Sequence, residues 1–194
     1  MSVGFQFFFV SVESEKAIYG SNDRELEERI IYTCGYEPHL FDEPGVYLEE
    51  AHRWRRALRG IIAGDATDDD LASEYRRVLQ DYLEYRGVPS GVISPMHYAY
   101  PYALDDAMSA AGLPDAIRFR TIVFGEPPMQ LPHTIEPCMG VWTAAEMRDA
   151  LPAFRAFSVA SSPVLLEGEA VWKELVEVLE DGVKAGVDAI GFHG

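Results

Sequence analysis

AVWKELVEVLEDGVKAGVDAIGF, residues 170–192, is the stretch that decides the fold class of this chain. Its apolar residues recur at positions i, i+3, i+4 and i+7, which predicts a helix with one buried face. That predicted face consists of Trp172, Leu175, Val176, Leu179 and Val183. Gly186 readily takes positive φ and predicts the end of the helix, and residues 187–192 predict a short buried strand. The pattern therefore predicts a core that contains both helices and a sheet.

Charged residues of the same helix are spaced for ion pairs on its solvent side. Glu169 precedes Lys173 by four residues, and Glu180 precedes Lys184 by four. The acid-first order is the more favourable one for such pairs. We therefore expect both pairs to form.

Three further stretches predict the strands that accompany the C-terminal one. Residues 3–12 are apolar on both faces, which indicates a strand that is covered on both sides. Residues 117–124 show alternating side chains, and residues 140–142 form a short apolar run. The predicted fold class is α+β, with a small mixed sheet of these four strands packed against several helices. Residues 1–194 are predicted to form a single compact domain.

Polar residues predict where several helices begin. Asn22, followed three residues later by Glu25, resembles a capping box. Thr67 is the predicted cap of a further helix, and the three aspartates after it suit the positive end of that helix. Thr143 and Glu146 have the full capping-box spacing and predict a helix start directly after the strand at 140–142.

The composition excludes some classes of partner. The 194 residues carry 32 acids and 16 Lys or Arg, for a formal net charge of -16. A surface this acidic repels phosphate backbones, so we expect no binding to generic nucleic acid. The same field attracts a basic protein, which is the predicted partner.

Cysteine usage and hydropathy predict a cytoplasmic protein. Cys34 and Cys138 lie far apart and form no CxxC pattern, which is typical of reduced thiols. No run approaches the roughly 20 apolar residues of a membrane span, so no membrane association is expected. The N-terminal residues also lack the positively charged leader of a signal peptide.

Three places in the chain resemble a known family. One is the opening strand with the turn at Gly20, Ser21, Asn22 and Asp23; another is the strand and Thr-capped helix of residues 139–147. The third is the closing helix with its glycine and strand. Together they resemble the YfbM-like group of uncharacterised bacterial proteins and its actinobacterial relatives. The resemblance implies a small domain of mixed α and β structure without an established activity, and it assigns no functional residues.

The chain lacks the common catalytic and cofactor signatures. It has no P-loop, no glycine-rich dinucleotide turn, no GxSxG and no HExxH, which excludes only those enzyme types. His133, Glu136 and Cys138 place three metal donors within six positions, whereas zinc typically takes four ligands. We therefore predict a protein without metal or cofactor, and a solvated loop at these residues.

Two clusters are candidates for binding. His97, Tyr98, Tyr100 and Tyr102 offer apolar rings with polar tips, and with His133 and Glu136 they are the candidate ligand-binding residues. The alternative is a half-buried helix start, with the helix beginning at Tyr102 because Tyr100 precedes a proline. Asp105 and Asp106, just downstream, are predicted to face solvent.

Four arginines form the candidate partner-binding cluster: Arg53, Arg55, Arg56 and Arg59. Such a cluster can hold a phosphate or an acidic partner. The alternative is a solvated helix face that is partly paired, since Glu49 precedes Arg53 by four residues.

The leading hypothesis is a binding or interaction protein without catalytic activity, for example an immunity-like protein that acts on a basic partner. The alternative is a small hydrolase-like enzyme with a pocket near residues 97–106 and the loop 125–138. A deep pocket with strongly shifted pKa values would favour the enzyme. Exposed aromatic residues on an acidic surface would favour the binding protein.

Overall fold

The structure is a computed structural model that describes residues 2–34, 46–97, 99–123, 125–134 and 138–193. Its strands form one antiparallel sheet in the order β2-β1-β4-β3: β1 (Ser2–Phe9), β2 (Ser90–His97), β3 (Cys138–Trp142) and β4 (Ala189–His193). The helices are α1 (Val12–Lys16), α2 (Arg24–Thr33), α3 (Val46–Ala63), α4 (Ala72–Tyr85), α5 (Tyr100–Ala110), α6 (Phe119–Val123), α7 (Ala144–Ala156), α8 (Pro163–Glu167) and α9 (Glu169–Ala185). Short 3-10 turns lie at Asp69–Leu71 and Val159–Ser161.

These elements confirm the α+β class. Tertiary contacts divide the chain into two compact units that alternate along the sequence. The sheet unit consists of residues 1–12, 89–126 and 138–194, and the helical unit consists of residues 13–88 and 127–137. The assignment of residues 1–194 to one domain stays a prediction. Among the described residues, no helix combines the length and the apolar character needed to cross a bilayer.

The central strand β1 has the double burial that its sequence predicts. Phe7 is buried on one face and Phe8 on the other, and β1 pairs with both β2 and β4. All the described pairings are antiparallel, so the expectation of a mixed sheet was wrong. The strand at 140–142 is confirmed and begins earlier, at Cys138.

The closing helix α9 packs its apolar face into the core of the sheet unit. The Trp172 ring stacks on Phe154, with centroids 5.2 Å apart and 7° between the planes. The helix ends at Gly186, which has the predicted positive φ of 69°. The buried face differs by part of a turn from the predicted one: Val176 and Val183 are half-buried, and the buried residues are Trp172, Leu175, Val178, Leu179 and Gly182.

Residues 117–124 were predicted to be a strand, and that prediction was wrong. Residues 119–123 form the short helix α6; residue 124 lies outside the described residues. The reason is tertiary, because the Asp105 carboxylate accepts the backbone N–H groups of Phe119 and Arg120, each at 2.8 Å. These bonds satisfy two donors that the first turn of a helix cannot pair internally.

The edge strand β2 was not anticipated from the sequence. It carries Pro95, which has no N–H to donate, and its register with β1 shifts between Val3 and Phe5. The neighbouring Ser94 donates its backbone N–H and its hydroxyl to the Glu174 carboxylate, at 2.7 and 2.6 Å. A proline, an irregular register and an occupied N–H are features that keep an edge strand from pairing with another chain.

The helical unit is built from α1 to α4. Its core contains Trp54, Leu58 and Tyr75, all almost completely buried. Helix α2 is capped by Asp23, whose carboxylate accepts the Leu26 N–H, rather than by the predicted Asn22. The same shift by one residue occurs before α4, where Asp68 and not Thr67 caps the 3-10 turn. In the sheet unit, by contrast, the capping box of Thr143 and Glu146 is confirmed.

Candidate functional site

The predicted ligand-binding residues are placed in different surroundings. Tyr98 and Glu136 lie outside the described residues. Tyr100 begins α5, two residues earlier than predicted, because Pro101 fits the first helical turn, and its hydroxyl donates to the Val164 carbonyl at 2.9 Å. Arg120 Cζ lies 5.7 Å from the centre of the Tyr102 ring. These two tyrosines therefore take part in the packing of the sheet unit.

The two predicted histidines are exposed, His97 at the end of β2 in the sheet unit and His133 in the helical unit. Cys138, the third residue of the predicted donor cluster, is buried in β3. The described residues bring no group of three or more His, Cys, Asp or Glu side chains into a metal-binding arrangement. Whether the protein is free of metal and cofactor stays a prediction.

Asp105 is the most buried carboxylate of the sheet unit and was missed from the sequence. It was predicted to face solvent, but its exposed fraction is 2%, while Asp106 is exposed and pairs with Arg120. Burial raises the pKa of Asp105, against the effect of the two N–H groups that it accepts and of nearby Arg118. Its hydrogen bonds all serve the start of α6, so this carboxylate has a structural role.

The arginine cluster lies on α3 of the helical unit and is largely engaged in ion pairs. Arg53 Nε lies 2.6 Å from Glu74 Oε1, so the partner comes from α4 and not from Glu49. Arg56 pairs with Asp68 and Arg59 with Glu27, each at 3.0 Å, whereas Arg55 is half-buried. The geometry favours the paired helix face; a role of these arginines in binding a partner stays a prediction.

The helical unit also holds a buried thiol beside a carboxylate. Burial, together with the charge of Asp81, raises the pKa of Cys34 to about 12. Cys34 is therefore a neutral thiol at neutral pH, and only the thiolate is a strong nucleophile. Burial also raises the pKa of Asp81, which accepts the Trp54 indole N–H at 2.9 Å. Asp81 therefore accepts a structural hydrogen bond from Trp54, and Cys34 is not an activated nucleophile.

Each unit contains a cleft. The cleft of the sheet unit has a volume of about 340 Å³ and the cleft of the helical unit about 320 Å³, near the lower limit for small-molecule sites. The first is lined by Phe9, Pro89, Ser90, Asp181, Lys184 and Ala185. The second is lined by Asn22, Arg24, Glu27, Arg59, Ile62 and Ala63.

Lys184 lines the first cleft instead of forming the predicted pair with Glu180. Glu180 accepts from Arg155 Nε at 2.7 Å, because α7 packs beside α9 in the sheet unit. The predicted pair of Glu169 and Lys173 is confirmed, at 2.9 Å. The spacing of residues within α9 therefore identified one of the two ion pairs. In the other, Arg155 of α7 takes the place of Lys184 as the partner of Glu180.

Among the residues whose burial the structure describes, the most exposed aromatic side chains lie in the helical unit. Tyr32, in the last turn of α2, is 78% exposed, and Tyr85, at the end of α4, is 56% exposed. Exposed carboxylates accompany them, Glu28 one turn before Tyr32 and Glu84 beside Tyr85. Sequence reasoning missed this surface, although Tyr32 falls outside the apolar stripe of α2 and Glu28 lies four residues before it.

Fold and surface together define a small α+β protein with exposed tyrosines and an excess of acidic residues. The chain matches the family described as Domain of unknown function (DUF7691) over residues 1–194 and belongs to that family. No curated protein and no solved structure matches it. The resemblance to the YfbM-like group stays a prediction.

Proposed function

We propose that this protein acts by binding a basic protein partner and not by catalysis. The observation that carries the proposal is the net charge of -16 combined with the internal use of its basic side chains. An immunity-like role, in which the acidic protein covers a basic partner, is one form of this function. We also propose that the protein is cytoplasmic, in keeping with two buried cysteines that form no disulfide with each other.

Ion pairs within each unit engage many of the bases. The described pairs with N–O distances of 3.0 Å or less are Lys16–Glu13, Arg53–Glu74, Arg56–Asp68, Arg59–Glu27, Arg86–Glu15, Arg118–Asp115, Arg120–Asp106, Arg155–Glu180 and Lys173–Glu169. Each pair cancels one acid against one base, so the excess negative charge resides on the remaining acids. Such a field accelerates the approach of a basic protein and repels nucleic acid.

The shifted pKa values support binding over catalysis. A catalytic acid or base needs a shifted pKa together with access to a substrate. Asp105 and Asp81 have raised pKa values, but both accept hydrogen bonds from structural donors, and the Cys34 thiol is buried. The exposed tyrosines, in contrast, are residues of a type enriched in protein interfaces.

The test is to recover the partner from cells of the source organism, purify it and measure association rates across a salt series. We expect a net basic partner whose association rate falls as salt shortens the screening length from its value of about 8 Å in physiological salt. We also expect no binding to generic DNA or RNA duplexes in anisotropy titrations at physiological salt. An acidic partner, a rate that does not depend on salt, or micromolar duplex binding would contradict the proposal.

A further inference from the structure

We infer that the partner docks on the tyrosine face of the helical unit, formed by Tyr32, Tyr85, Glu28 and Glu84, and that it presents arginine side chains there. The inference rests on the proposed function, to which it adds the docking surface on this protein and the chemistry of the partner. Four observations carry it: the exposure of the two rings, their placement on adjoining helices, the charge beside them, and the way the protein holds its own arginines.

The rings of Tyr32 and Tyr85 are largely exposed to solvent and add little to the packing of the helical unit. Their exposed fractions are 78% for Tyr32 and 56% for Tyr85. Within the described residues, neither side chain takes part in a hydrogen bond or a ring contact. Tyrosine has few rotatable bonds and a large ring, so it loses little conformational entropy when a partner covers it.

The rings lie on two helices that contact each other. Helix α2 packs against α4. Tyr32 lies in the last turn of α2, and Tyr85 is the last residue of α4. Both rings therefore stand near the C-terminal ends of two helices that pack together.

The carboxylates beside the rings are exposed. Glu28 precedes Tyr32 by one turn, and Glu84 is the neighbour of Tyr85. Neither glutamate forms an ion pair within the part of the chain that the structure describes. Glu28 and Tyr32, four residues apart, share one face of α2, so a cation held over the Tyr32 ring would find a carboxylate nearby.

The protein holds two of its own arginines with this same combination of groups. Arg86 Cζ lies 5.0 Å from the centre of the Tyr82 ring, and its Nη1 donates to Glu15 at 2.7 Å. In the sheet unit, Arg120 lies over the Tyr102 ring and pairs with Asp106.

A planar guanidinium can stack on a ring and donate to a carboxylate at the same time, which an ammonium group does less well. Within the part of the chain that the structure describes, no arginine lies over the ring of Tyr32 or Tyr85. We therefore expect a partner with exposed arginines.

The test uses the whole protein and blocked peptides of equal length that carry four arginines, four lysines or four glutamines. The double variant Tyr32→Ala/Tyr85→Ala is compared with Val92→Ala/Leu166→Ala, which removes two exposed apolar side chains from the sheet unit (59% and 49% exposed). Binding is measured by anisotropy at low salt, and thermal unfolding confirms that all variants fold. We expect the arginine peptide to bind the wild-type protein several-fold more tightly than the lysine peptide. We expect the tyrosine variant to lose about five- to thirty-fold in affinity, while the control variant binds as the wild type does.

Each outcome decides the inference. Equal binding by the tyrosine variant and the wild type overturns the docking surface but leaves the proposed function standing, because a basic ligand then binds elsewhere. Preferential binding of the glutamine peptide, or self-association that depends on the tyrosines in sedimentation, overturns the arginine-bearing partner. Absence of any peptide binding overturns the inference as well, and the salt series with the recovered partner then tests the proposed function separately.

Discussion

The sheet unit packs large aromatic residues against one another in its core, whereas the helical unit buries Trp54 and Tyr75 and leaves two other tyrosines exposed. In the sheet unit, Trp172 stacks on Phe154 and Trp142 on Phe7, and all four side chains are buried. In the helical unit, Tyr32 and Tyr85 stand exposed at helix ends. The difference indicates that substitutions of aromatic residues in the sheet unit will lower stability, while substitutions of the two exposed tyrosines will affect binding.

The largest effect is expected at Trp172. Trp172→Ala removes a buried ring that contacts Phe154 and Phe157, and we expect it to lower the free energy of unfolding by roughly 3–5 kcal/mol. Tyr32→Ala in the helical unit is the matched control, with an expected change below about 0.5 kcal/mol. Chemical denaturation measures both values. Similar losses for the two variants would contradict the contrast between the units.

We expect Gly140→Ala to lower the free energy of unfolding by roughly 3 kcal/mol, because α6 lies directly on the sheet at this residue. A Cβ at Gly140 would come within 2.2 Å of the Thr121 carbonyl oxygen and 2.8 Å of Ile122 Cα, both of them backbone atoms that cannot rotate away. Gly4→Ala, in the same sheet, has its nearest neighbour at 3.6 Å and serves as the control. If urea denaturation shows equal midpoints for the two variants, α6 does not approach the sheet this closely.

We expect Asp105→Ala to lower the free energy of unfolding by about 2 kcal/mol. The substitution leaves the N–H groups of Phe119 and Arg120 without their acceptor in a site with little access to water. Asp106→Ala removes an exposed carboxylate at the next position and should cost less than about 1 kcal/mol. Thermal and urea unfolding of the two variants provide the comparison, and an equal cost would refute the capping role of Asp105.

The smallest expected effect is a change of stability with pH, which is caused by Asp81 in the helical unit. Burial raises the pKa of Asp81, so the folded state binds this proton more tightly than the unfolded state. The resulting stability is present below the ordinary pKa of 3.8 and is lost as pH rises through the raised value. Asp81→Asn keeps an acceptor for the Trp54 indole and removes the titration. Its stability relative to wild type should therefore increase from about pH 4 to about pH 7 in urea denaturation. A difference that stays constant with pH would contradict the raised pKa.

Features that depend on neighbours in sequence were predictable. The capping box at Thr143 and Glu146 and the positive φ of Gly186 both follow from interactions within a few residues, and both are confirmed. The same holds for the burial of β1, because an unbroken apolar run leaves neither face suited to water.

Features that depend on distant residues were not predictable. Residues 117–124 alternate as a strand would, yet Asp105, fourteen residues before Phe119, caps a helix there. The candidate surface shows the same limit. Arg53, Arg56 and Arg59 stand out in the sequence, but their acidic partners come from other segments of the helical unit.

The sequence by itself determined the α+β class, the excess of acidic charge and the ends of several helices, because composition and short-range hydrogen bonding act without knowledge of the fold. Only the tertiary structure decided which carboxylates are buried, which arginines are paired and which tyrosines remain exposed. Burial and long-range pairing depend on which segments meet in space, and a single ion pair or capping bond between them is too small in energy to be recognised from local patterns.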